Sequence, residues 1–125
     1  MLPARNPASE EKSMKEIRAI IRLEKVRDVL DALEDSGHPG VSVERIEGHG
    51  RQTGLVEQFR GREFKVDLLP KARLNIVCAD GEVDKLVNTI MDNAKTGAIG
   101  DGKIFVYPVE NALRIRTGEI GQEAI

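Results

Sequence analysis

The chain has 125 residues and a formal net charge of -2, from 19 Lys and Arg against 21 Asp and Glu, which suits one domain with one modest core. Hydrophobic residues at 40% and charged residues at 32% exclude disorder along the whole chain, and the balanced charge excludes wrapping nucleic-acid phosphates as the main task. No apolar run approaches the roughly 20 residues that span a bilayer, and charge stands where a signal peptide needs an apolar stretch, so a cytoplasmic location is expected.

Residues 1–13 mix Pro, Ser and charges without an apolar period and read as a flexible extension before a domain over residues 14–125. From Lys15 to Arg22 the residues Ile17, Ala19 and Ile21 alternate in period two, with Ile20 on the opposite face, which predicts a largely buried strand. The period then changes. Val26, Val29, Leu30 and Leu33 fall at i, i+3, i+4 and i+7, and Gly37 with Pro39 supplies a stop, predicting a helix over Glu24 to Ser36. A strand over Val41 to Glu47 follows.

The same order recurs. Arg73 to Ala79 is β-rich, Val83, Leu86, Val87, Ile90, Met91 and Ala94 form a helical stripe, and Ile104 to Val109 returns to strand. Two strand-helix-strand halves predict an α+β fold, the ferredoxin-like βαββαβ sandwich: a four-stranded antiparallel sheet with both helices on one face. A short strand over Ala112 to Arg116 is expected to extend it. Ile20 and Phe105 point away from the helices, so subunits are expected to cover the other face. The lone Cys78 lies in an apolar strand and reads as a core thiol. Between the halves lies a long loop, about residues 48–69, with three glycines in seven residues (Gly48, Gly50, Gly54). A connection of this length inside a compact domain points to function.

Thr96 to Lys103 joins the second helix to the last strand. Gly97, Gly100 and Gly102 let successive backbone N–H groups converge on an anion, with Lys103 adding charge; a plain glycine turn is the alternative. The run is not a P-loop, because Ile104 replaces the Ser or Thr that holds Mg²⁺ and the order is helix then strand. Arg114 and Arg116, two apart in an apparent strand, would leave one face and grip a polyphosphate, or form a solvated edge pair. Lys71 at one end of the long loop and Arg51 and Gln52 at the other could close on a carboxylate ligand, or lie on the surface. His38 reads as a turn residue and His49 lacks an acid or nucleophile partner. Few aromatics remain to stack bases, so no nucleic-acid partner is expected.

These segments together resemble the nitrogen-regulatory P-II signal-transduction family over residues 14–125, through MKEIRAIIR at Met14 to Arg22, GHGRQTG at Gly48 to Gly54, VDLLPK at Val66 to Lys71, TGAIGDGKIFV at Thr96 to Val106, and PVENALRIRTGE at Pro108 to Glu119. The resemblance implies a homotrimer with clefts between neighbours that bind ATP or ADP, 2-oxoglutarate joining through Mg²⁺ held by the ATP phosphates. Carried over, the nucleotide would meet Ile20, Gly48, Arg51, Gln52, Val77, Gly100, Asp101, Gly102 and Lys103, with Arg114 and Arg116 from an adjoining subunit. Gln52 would complete the Mg²⁺ shell, and 2-oxoglutarate would meet Gln52, Thr53, Gly54, Lys71 and Gly100. The long loop would act on partners without enzyme activity, with Arg60 where the family inserts an arginine into an ammonium-transporter pore, the only contact implied with a membrane. Phe64 stands at the usual uridylylated tyrosine, so no such modification is expected. Ala98 replaces a usual lysine and Asn75 a frequent glutamate. Alternatives are a member dedicated to nitrogenase or glutamine synthetase, or, in a different class, a slow Mg²⁺-dependent ATP hydrolase, for which no water-orienting residue is evident.

Overall fold

The computed structural model describes residues 13–38, 40–49, 56–59, 62–65 and 68–125, the two short segments 56–59 and 62–65 as strand backbone. Strand β1 (Met14–Arg22) alternates as its sequence predicts: Ile17, Ala19 and Ile21 are buried, and Ile20 faces the other way. A 3-10 turn, Leu23–Lys25, leads into helix α1 (Val26–Asp35), which buries Val29 and Leu33. The helix ends in a Schellman motif: Gly37, at φ 91, donates to Glu34, and His38 donates to Leu33 O at 2.8 Å. Strand β2 (Ser42–Gly48) follows.

The long loop holds two short strands, β3 (Val56–Phe59) and β4 (Arg62–Lys65), paired antiparallel as a separate ribbon with Phe59 opposite Arg62. Strand β5 (Leu69–Ala79) starts four residues before the predicted Arg73. Pro70 is tolerated there because β1 ends at Arg22 opposite Lys71, so Pro70 has a strand neighbour, Glu47, on one side alone. A second 3-10 turn, Asp80–Glu82, opens helix α2 (Val83–Ala94), and β6 (Lys103–Val109) completes the core. Both halves thus pass from strand to helix through one 3-10 turn, the structural counterpart of the repeated sequence pattern.

The main sheet runs β2-β5-β1-β6 with every pairing antiparallel, which is the ferredoxin-like order. One face carries Ile17, Ala19, Ile21, Ala72, Leu74, Ile76 and Cys78, and both helices close on it with Val29, Leu33, Leu86, Ile90 and Ala94. Cys78 is a core thiol, as expected; burial, then the charges of Glu82 and Asp80, push it above the ordinary thiol range. Ile76→Val, which removes one methylene from this layer, is expected to lower stability by about 1 kcal/mol in denaturant unfolding; an unchanged midpoint would remove Ile76 from the core.

The opposite face is open. It presents Ile20 beside Arg73 and Lys103, and Glu16 beside Val77 and Tyr107. Val77, Phe105 and Tyr107 remain 39%, 41% and 42% exposed. Polar pairs sit between them: Arg73 donates to Glu44 at 2.8 Å and Asn75 donates to Glu44 at 3.3 Å. The hydrogen bond from Arg73, then its charge, hold the Glu44 carboxyl below its usual range.

The expected strand over Ala112 to Arg116 does not form. Leu113 makes a single bridge with Ile120, and between them the chain turns, with Gly118 N donating to Arg114 O at 2.7 Å and Arg114 N donating to Glu119 O at 2.9 Å. Gly118, at φ 76, supplies the left-handed step that such a reversal needs. Arg114 and Arg116 therefore share a turn rather than one face of a strand. Ser13, counted in the extension by sequence, is bonded into the domain: its carbonyl accepts from Asp80 N at 3.0 Å and from Gln122 at 3.0 Å.

Candidate functional site

A cavity of about 790 Å³ opens where the ends of β1, β2, β5 and β6 meet the glycine-rich turn. Ile20, Gly48, Lys71, Gly100, Gly102 and Lys103 line it, so six of the sequence-derived candidates come together. Ile46, Glu47, His49, Ile99 and Phe105 complete the wall. The period-two pattern carries the signal for two of these: Ile46 and Phe105 share the open sheet face with Ile20.

The turn is built around Asp101. Its carboxylate accepts from Thr96 N at 2.9 Å, Gly97 N at 2.8 Å, the Thr96 hydroxyl and Arg22 Nε at 3.0 Å. The hydroxyl bond from Thr96 is the main reason this carboxyl stays well below the usual carboxylate range, followed by the Thr96 amide. Asp101 is therefore ionised at neutral pH and serves as the turn's internal anion. Gly97, Gly100 and Gly102 all have positive φ, at 88, 105 and 102, the backbone freedom that the sequence reading required. A Cβ on Gly102 would lie 1.7 Å from the Ile20 carbonyl oxygen.

Two cations brace the same turn from the sheet. Arg22 and Lys71 are register partners at the end of β1 and β5. Arg22 Nη2 donates to Ile99 O at 2.7 Å, and Lys71 Nζ donates to Gly100 O at 2.6 Å. Lys71 is only 9% exposed; burial, then the charge of Arg22, pull its ammonium below the ordinary lysine range, against the opposing pull of Glu24 and Asp101. Gly48 packs against the Lys71 stem, a Cβ there meeting Lys71 Cγ at 3.2 Å. Sequence reasoning singled out Lys71 but passed over Arg22, which reads as the polar end of a strand.

The remaining candidates lie elsewhere. Val77 pairs with Glu16, four residues along β1 from Ile20 and so about 13 Å away. It lines a second cavity of about 450 Å³ with Gly37, His38, Gly40, Cys78, Glu82, Gln122 and Ile125. His38 contacts Glu82 there, which ties the turn after α1 to the start of α2. The turn with Arg114 and Arg116 belongs to this same end, since Gly121 N donates to Ala112 O and Gln122 to Ser13. Arg114 is paired with Glu119 at 3.1 Å. Arg51, Gln52, Thr53, Gly54 and Arg60 lie outside the described residues; Phe64 falls on β4. Asn75 is bonded to Glu44, and Ala98 N donates to the Thr96 hydroxyl at 3.1 Å. Among the described residues no group of three or more His, Cys, Asp or Glu is placed to hold a metal, and no helix is long and apolar enough to cross a membrane.

The chain is a ferredoxin-like domain with a cation-braced glycine turn at one end of its sheet and two arginines on a turn at the other. The profile of the family described as Nitrogen regulatory protein P-II matches residues 14–119. Among curated relatives, Nitrogen regulatory protein P-II 2 of Methanothermobacter thermautotrophicus is 52% identical over 112 residues, covering 90% of this chain and 97% of its own. Nitrogen regulatory protein P-II of Pasteurella multocida is 51% identical over 112 residues, covering 90% and 100%. The crystal structure of Arabidopsis thaliana PII bound to citrate superposes with a TM-score of 0.74 at 34% identity, covering 91% of this chain and 94% of that one. The chain belongs to the P-II family of nitrogen regulatory proteins.

Proposed function

We propose that this P-II protein senses adenine nucleotide and 2-oxoglutarate together, and that it does so as a homotrimer. The observation that carries this reading is the separation of the binding groups. The glycine turn, Lys103, Lys71 and Ile20 stand at the Arg22 end of β1, whereas Val77 and the turn of Arg114 and Arg116 stand at the Met14 end. Two neighbouring chains, the Arg22 end of one beside the Met14 end of the other, would close both groups around one nucleotide. The open sheet face, with Val77, Phe105 and Tyr107 exposed, is the surface such neighbours would cover.

In this assembly the amides of the glycine turn and Lys103 bind phosphate oxygens from one subunit, and Arg114 and Arg116 from the next. ATP or ADP supplies the phosphates, and with ATP a Mg²⁺ ion would take its ligands from phosphate and 2-oxoglutarate oxygens with Gln52, which suits a cleft whose described residues offer no carboxylate cluster. Lys71 would face a 2-oxoglutarate carboxylate. That a plant relative is held with citrate fits a P-II fold with an affinity for polycarboxylates. The ribbon of β3 and β4, with Arg60 between its strands in sequence, carries the outcome to a nitrogen-metabolism target, of which an ammonium transporter is the one proposed. Phe64 leaves no hydroxyl for uridylylation, so effectors alone set the loop.

A metal shared by two ligands makes their binding reciprocal. Calorimetric titration of 2-oxoglutarate with Mg²⁺ is therefore expected to show binding with ATP present and none detectable without it. Equal binding in both cases would overturn the shared-metal reading, and a protein that binds no ATP would overturn the sensor itself.

A further inference from the structure

We propose that Arg22 and Asp101 are a positioning pair that sets which side of the glycine-rich turn presents N–H donors, a role that rests on the nucleotide-binding reading above. In a trans peptide the C=O and the following N–H point in opposite directions. Arg22 Nη2 holds the Ile99 carbonyl at 2.7 Å, and its register partner Lys71 holds the next carbonyl, Gly100, at 2.6 Å. Pinning these two carbonyls toward the sheet cations turns the Gly100 and Asp101 amides the other way. Without the pins, either peptide could flip, a low-barrier motion where Gly100 already has φ 105, and a carbonyl oxygen would then meet the phosphates.

The pair is tied on both sides. Arg22 is 18% exposed and presents Nε to Asp101 at 3.0 Å while Nη2 reaches Ile99, so one planar guanidinium spans two points of the turn. Asp101 closes the far side through the Thr96 and Gly97 amides. Arg22 also lies 4.0 Å from Glu24, so its charge is largely countered by two carboxylates before any ligand arrives. Its contribution to an anion is geometric more than coulombic.

This gives Asp101→Asn an unusual sign. Removing a negative charge beside a triphosphate tightens binding if charge alone matters. If Asp101 holds the turn, the variant weakens it, because the amide puts an NH₂ where the Thr96, Gly97 and Arg22 donors converge. ATP and inorganic tripolyphosphate would each be titrated into the full-length parent, Asp101→Asn, Arg22→Gln and Arg22→Lys, with amide exchange of Thr96 and Gly97 followed in the ligand-free proteins. All three variants are expected to weaken both ligands about tenfold and to speed exchange at these amides, while melting temperatures stay near that of the parent. Arg22→Lys belongs with the losses because one ammonium cannot span Asp101 and Ile99 as the fork does. Tighter or unchanged binding by Asp101→Asn overturns the proposal, as does parental affinity in Arg22→Lys or unchanged exchange. A parent that binds tripolyphosphate but not ATP overturns the sensor reading and leaves this test decisive. One that binds neither overturns both.

Discussion

Gly102→Ala is expected to lower the stability of the protein by about 3 kcal/mol or more and its melting temperature by roughly 10 °C or more, with nucleotide binding lost as well. Two independent penalties meet at this residue. Its φ of 102 lies in a region that residues with a Cβ rarely adopt, a strain of about 1–3 kcal/mol. The added Cβ would also lie 1.7 Å from Ile20 O and 2.8 Å from Ile20 C. Those are backbone atoms in the middle of the sheet, so no side-chain rotation relieves the contact; β6 must move away from β1 at the Ile20 and Lys103 pair, where its ladder begins. Gly97 is the internal control. Its φ of 88 is similar, but nothing lies within 4 Å of the position a Cβ would take, so Gly97→Ala should cost only the backbone strain. Thermal unfolding of the two variants side by side checks the claim. A Gly102→Ala protein that melts within about 2 °C of the Gly97→Ala protein would mean that β6 does not pass this close to β1.

The core strands and both helices were legible because their periods are unmixed: Ile17, Ala19 and Ile21 in period two, and Val29, Leu33, Leu86 and Ile90 in helical spacing, all end on one layer. The start of β5 was not, because Pro70 reads as a break until one knows that β1 has already ended beside it. The segment Ala112 to Arg116 has strand composition, yet Gly118 and the Thr117 and Glu119 contacts, the Thr117 hydroxyl donating to Glu119 at 2.8 Å, draw it into a turn. Such local side-chain bonds compete with a sheet ladder over distances that propensity ignores. The candidate site residues were legible one by one, from glycine spacing and isolated cations. Their division between the two ends of β1 depends on strand register, which spacing along the chain does not show; in the sequence it entered only through the family resemblance, which implies clefts between neighbours. Arg22 was hidden for a related reason. Its partners, Ile99 and Asp101, lie 77 and 79 residues away, and nothing local distinguishes it from a solvated strand end.

Lys71→Met is expected to reduce 2-oxoglutarate affinity about a hundredfold or more while leaving the melting temperature within a few degrees of the parent. The two effects separate because the ammonium does different work in the two states. In the free protein this nearly buried ammonium donates to Gly100 O at 2.6 Å and feels the charges of Glu24 and Asp101, yet burial and the charge of Arg22 still pull its pKa down. Exchanging such a group for an apolar chain of similar length trades a lost hydrogen bond against a relieved desolvation penalty, a change that is commonly neutral or favourable. With a dicarboxylate present the balance reverses. Lys71 has two further N–H bonds to offer, the cavity wall includes Ile20, Ile46 and Phe105 beside Lys103, and a carboxylate entering there without the Lys71 ammonium would lose its most buried cationic partner, a loss of about 3 kcal/mol on the scale of a broken buried ion pair. ATP binding should fall less than tenfold, since Arg22 still holds Ile99 and Asp101 and Lys103 is untouched. Calorimetry of both ligands together with a melting curve distinguishes the outcomes. A Lys71→Met protein that keeps its affinity for 2-oxoglutarate removes Lys71 from that site and leaves it as a brace for the turn; one that unfolds makes the bond to Gly100 a structural necessity, contrary to the balance argued here.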